Sequence, residues 1–151
     1  MAGAKTFGAI RATPAACGGV NKHRLAVMKS DDDKKQIFGW ASVAVRANGE
    51  EIEDLQGDII EIGELEQAAY EFVLHHRSAG EMHERGGVGR LIESVVFTKE
   101  KIAAIGIPDG FLPLGLWIGF QIDDDEVWQK VKAGDYLMLS IEGTADRIPI
   151  D

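Results

Sequence analysis

Cysteine occurs once, at Cys17, so no disulfide can close within this chain. The fold must stand on packing alone, as is usual in a reducing cytosol. Long hydrophobic runs are also missing. The longest apolar stretch, Phe111 to Phe120, is ten residues interrupted by Pro113 and Gly115. A membrane-spanning helix needs about 20, so no membrane crossing is expected. Positive charge is scarce: 16 Lys and Arg stand against 25 Asp and Glu, for a net charge of −9. Tight binding to a nucleic-acid phosphate backbone is therefore not expected. What remains is 151 residues, 45% hydrophobic and 27% charged, the composition of one soluble globular domain with a core of its own.

The charge is unevenly placed. Residues 1–30 carry Lys5, Arg11, Lys22, Arg24 and Lys29 and no acid, whereas the rest holds all 25 acids. The first twenty residues are rich in Ala and Gly and lack an apolar period. They read as a flexible basic N-terminal arm, 1–20, before a single domain, 21–151. No continuous apolar core of about 7–15 residues marks a signal peptide.

Periodicity supplies the elements. His23–Met28 and Gln36–Ala47 read as strands, the second rich in β-branched and aromatic types. Asn48-Gly49 marks a hairpin turn, and Ile59-Ile60 a short strand. Between Gly63 and His76, Leu65, Ala68, Ala69, Phe72, Val73 and His76 share one helical face. Ala79–Arg85 and Arg90–Thr98 read as strands, and Thr98 as the cap of a short helix, Lys99–Ile105. Leu114–Ile122 is an apolar strand. Asp123-x-x-Glu126 resembles a capping box, opening a helix that runs to Ala133 and closes at Gly134. Asp135–Glu142 is the last strand. The helices do not follow each strand in turn, so the pattern predicts an α+β fold with a mainly antiparallel, barrel-like sheet and two or three surrounding helices.

Acid–base chemistry has few candidates, because the chain has four histidines and five serines. Ser140 sits mid-strand in Met138-Leu139-Ser140-Ile141-Glu142, where a hydroxyl among apolar neighbours needs a partner. His83 lies in a short polar run between sheet elements, Gly80-Glu81-Met82-His83-Glu84. An imidazole within about 3 Å of a serine oxygen can take its proton during attack on a carbonyl. On residue type alone, a strand serine bonded to a neighbouring backbone carbonyl and a solvated or hydrogen-bonded loop histidine are the stronger readings of these two residues. His75 and His76 are adjacent on a helix and point about 100° apart. No metal-ligand spacing supports a site there, and no cofactor is expected. Cys17 lies in the arm and makes a poor nucleophile.

Five segments occur in order: Phe38-Gly39-Trp40-Ala41-Ser42-Val43, Asp54-x-x-Gly57-Asp58-Ile59-Ile60, Gly80-Glu81-Met82-His83-Glu84, Gly89-x-Leu91-Ile92-Glu93-Ser94 and Leu139-Ser140-Ile141. Together they resemble the XkdF-type phage serine proteases, a branch of the prohead maturation proteases that are similar to herpesvirus assemblins. The resemblance covers roughly residues 35–145. It implies an assemblin-like β-barrel surrounded by helices, with Ser140 as nucleophile and His83 as general base. It also implies phage scaffold and major capsid proteins as substrates, cleaved within an assembling procapsid in the bacterial host cytoplasm. A homodimer is a further implication of the assemblin likeness.

The residue that orients the base is less defined. No histidine follows Ser140. Glu93 lies inside a matching motif and is favoured, with Asp146 and Glu142 as alternatives; a carboxylate there would fix the imidazole tautomer. Backbone N–H groups near Gly143 could hold the oxyanion, with Arg147 as a cationic helper. Asp54 and Asp58 read as turn residues around Gly57. A catalytically silent capsid-assembly or scaffold-associated module with the same fold is the competing expectation.

Overall fold

The computed structural model describes residues 9–12, 28–29, 34–53, 57–81 and 85–140. Ten elements follow in chain order: β1 (Ala9–Ala12), β2 (Met28–Lys29), β3 (Gln36–Val45), α1 (Ile62–His75), β4 (Ser78–Glu81), β5 (Arg85–Phe97), α2 (Lys99–Ala104), β6 (Leu114–Ile122), α3 (Asp125–Ala133) and β7 (Tyr136–Ser140). The strands form one sheet in the order β2-β3-β6-β5-β4-β1-β7. Every neighbouring pair is antiparallel except β1 with β4. The sheet curls until β7 lies against β3. The fold is thus α+β with a half-barrel sheet, as the sequence pattern predicts.

The core lies where α1 and α3 meet one face of this sheet. Leu116, Ile118, Phe120 and Ile122 of β6 are buried on that face, with Ile37 and Ala41 of β3 and Val88 and Val96 of β5. Alternation along β6 leaves Trp117 and Gln121 on the other face. The apolar stripe of α1 supplies Leu65, Ala69 and Phe72, and the Phe72 ring meets Phe120 edge-on at 6.4 Å. From α3 come Val127, Trp128 and Val131.

Helix ends follow local chemistry. Thr98 caps α2 by accepting from the Lys101 N–H at 3.3 Å. α3 stops at Gly134, whose φ of 83° is the left-handed conformation that glycine adopts without a Cβ penalty. Its start corrects the expected capping box. Asp124, not Asp123, accepts from the Val127 N–H at 2.9 Å. Asp123 instead takes a two-pronged pair from Arg90, at 2.8 and 2.9 Å, whose hydrogen bonds hold its carboxyl below the usual range. Consequently Asp124→Ala should cost about 1 kcal/mol in urea unfolding. Asp123→Ala, which loses only an exposed ion pair, should cost less.

Two further differences concern the amino-terminal region. Ala9–Ala12, inside the stretch expected to be a flexible arm, forms β1 between β4 and β7. Of the expected strand His23–Met28, only Met28 is among the described residues, in β2. Ile59 forms an isolated bridge to Glu53 rather than a strand.

Candidate active site

The region around Ser140 is assembled by backbone register. After the Gly134 stop, the chain enters β7 and Leu139 sinks into the core at 4% exposure. β7 pairs with β1 so that Ser140 stands opposite Ala9, and β1 pairs with β4 so that Ala9 stands opposite Gly80. On the far side of β4, Gly80 stands opposite Gly86 of β5. Ser140, Ala9, Gly80 and Gly86 therefore form one row across four strands, and none has a bulky side chain. At Gly86 and at Gly87 an added Cβ would meet nothing within 4 Å, so this end of the row is open. Two strand spacings, about 10 Å, separate the Ser140 and Gly80 backbones.

His83 lies outside the described residues, as do Glu142, Gly143, Asp146, Arg147, Asp54 and Cys17. The described flanks of the 82–84 connection, Glu81 and Arg85, pair with each other across β4 and β5. Ser140 is thus level with Gly80, three residues before His83 in the chain.

Glu93 is placed elsewhere. It lies eight residues along β5 from Arg85, about 25 Å of strand. A bulge decides its direction. Leu91 pairs with Phe120 and packs against the core, and the register then slips so that Glu93 pairs with Gly119. Simple alternation would give Leu91 and Glu93 one face; the bulge at Ile92 turns Glu93 to the opposite face. There its carboxylate accepts from the Trp117 indole Nε1–H at 2.9 Å. The register brings Ser140 toward the β4–β5 connection and does not bring Glu93 there.

Other features lie apart from this row. An open hollow of about 510 Å³, lined by Arg46, Lys99, Asp109 and Leu112 among others, sits near the far ends of β3 and β5. Among the described residues no group of three metal-ligating side chains occurs. No helix among them is long and apolar enough to cross a membrane. Sequence reasoning missed the small-residue row, because its members are contributed by four separate strands. The only local signal was Gly at positions 80 and 86.

Comparison with known proteins adds to this geometry. The sequence profile of a family described as "Putative phage serine protease XkdF" matches residues 24–149. The chain is similar to the phage-like element PBSX protein XkdF of Bacillus subtilis, with 30% identity over 132 residues, covering 83% of this chain and 42% of that protein. It is also similar to the uncharacterized protein YqbD of the same organism, with 28% identity over 121 residues, covering 80% of this chain and 34% of that protein. The chain thus spans between a third and a half of the length of these curated relatives. No solved structure gives a significant match.

Proposed function

Because the chain belongs to the family described as putative phage serine protease XkdF, we propose that it is a serine endopeptidase that cleaves phage scaffold and capsid proteins during prohead maturation. The observation that carries this reading is the small-residue row, which runs from Ser140 to the strand that leads into His83. Among the described residues, Gly86 is exposed and an added Cβ there would meet nothing within 4 Å, which suits close approach of a peptide chain to the backbone.

In the proposed reaction the Ser140 Oγ attacks the scissile carbonyl carbon while the His83 imidazole takes the hydroxyl proton. The tetrahedral oxyanion is held by backbone N–H groups near Gly143. Collapse breaks the C–N bond, and the proton passes from His83 to the leaving amine. Water then attacks the acyl-serine, again with His83 as base, and releases the second product. Glu93, Glu142 and Asp146 are the carboxylates weighed for orienting His83. The register weighs against Glu93, which leaves Glu142 and Asp146 as better placed in sequence, shortly after Ser140. Cleavage would take place in the host cytoplasm, inside the assembling shell.

One observation favours a second reading, the catalytically silent assembly module: the carboxylate of the matching motif, Glu93, accepts from Trp117 on a stretch of β5 remote from the β4–β5 connection. The purified protein, mixed with the scaffold and major capsid proteins of its own phage, separates the two. Discrete fragments with the wild type and none with Ser140→Ala support the peptidase. Binding of either protein without any cleavage overturns it in favour of the silent module.

A further inference from the structure

The face of the sheet turned away from the core carries an aromatic shelf with one acid in it. On this face Phe38, Gly119 and Glu93 form one row across β3, β6 and β5, and Trp40, Trp117 and Val95 form the next. Gly119 is required here by close approach. An added Cβ would stand 2.6 Å from the Phe38 ring and 3.1 Å from the Glu93 Cβ, so Phe38 lies over the bare backbone beside the acid. Trp40 meets Trp117 nearly at right angles, with centroids 5.6 Å apart, and packs against Phe97 at the same distance. The rings are half-buried and Glu93 is exposed.

Among the described residues, no cation matches the charge of Glu93. Its partner is the neutral Trp117 N–H, and no lysine or arginine among the described residues pairs with it. That hydrogen bond fixes the carboxylate beside the two indoles. Such an arrangement suits a cation with a flat apolar body. A guanidinium can stack on an indole face, gain from the ring quadrupole and pair with the carboxylate through two N–H groups.

We infer that the Trp40–Trp117–Glu93 shelf is a docking site for an arginine side chain presented by an extended peptide of a partner protein. Charge complementarity names the occupant: a carboxylate framed by aromatic rings and, among the described residues, without a cationic partner, on a chain of net charge −9, selects a basic group over an apolar or acidic one. An ammonium would be held by the charge but would lack the planar stacking. The site is separate from the Ser140 row and does not depend on the hydrolytic reading.

The test is a titration of the ¹⁵N-labelled protein with a capped pentapeptide bearing one central arginine, and with its neutral citrulline counterpart. The indole N–H resonances of Trp40 and Trp117 should shift saturably with the arginine peptide, while that of Trp128, buried in the core at 2% exposure, stays in place. The citrulline peptide should bind about tenfold more weakly, and Glu93→Gln should weaken the arginine peptide by a similar factor. An unmoved Trp128 resonance reports that this variant is folded. Equal binding of the two peptides, or no shift at millimolar arginine peptide, would overturn the inference. Shifts that depend on protein concentration without any peptide would also overturn it, by assigning the shelf to a second copy of the chain.

Discussion

Replacing Ser140 by alanine should abolish hydrolysis of the scaffold protein, with a loss of at least about a thousandfold in kcat/KM. His83→Ala should cause a loss of the same order. The double variant should be hardly worse than either alone, because a nucleophile and its base acting in one proton-coupled step make contributions that do not add. The size of the effect follows from chemistry. A serine hydroxyl is a weak nucleophile at neutral pH, and only an imidazole within reach makes attack on an amide productive. Substrate binding should survive, since the row of Ala9, Gly80 and Gly86 proposed to receive the peptide is untouched. A change confined to KM would point to a binding role for Ser140 instead. Steady-state cleavage of a fluorogenic peptide spanning a mapped scaffold cleavage site provides the readout.

Phe72→Ala should have the largest effect on stability, about 3–5 kcal/mol in urea unfolding. The side chain is 1% exposed and touches Phe120 on the sheet, and its ring also stacks with His76 at 6.5 Å. Truncation removes its buried area and leaves a cavity at the junction of α1 with β6. Domains of this size carry only about 5–15 kcal/mol in total, so the loss would bring the protein close to unfolding. Leu74→Ala supplies the contrast. Leu74 stands on the same helix but is 63% exposed, and its removal should change stability by less than about 0.5 kcal/mol.

The two residues also show what a one-dimensional reading can reach. α1 was legible because its apolar positions recur at the helical period, and Leu65, Ala69 and Phe72 are the residues that become buried. β6 was legible end to end because Leu114–Ile122 is a largely apolar run, broken only by Gln121 and glycines, bounded by Pro113 and Asp123. The α3 terminus followed from Gly134, but in the run Asp123-Asp124-Asp125 the expected cap, Asp123, was one residue early, and geometry chose Asp124. β1 was not legible. Ala9–Ala12 has no strand pattern of its own, and its place is set by partners 70 and 130 residues away in β4 and β7. The surroundings of Glu93 were hidden for a related reason. The motif names the residue, but the bulge that turns it toward Trp117 is a property of the β5–β6 pairing and leaves no trace in spacing. The strand that carries Ser140 was legible in the sequence, whereas the row it shares with Ala9, Gly80 and Gly86 exists only after four strands have paired.

The most direct test is covalent. Treating the protein with a fluorophosphonate and mapping the adduct by peptide mass spectrometry should find a single modified residue, Ser140, with labelling lost in His83→Ala. An unlabelled wild type, or an adduct on another serine that persists in Ser140→Ala, would contradict the peptidase account.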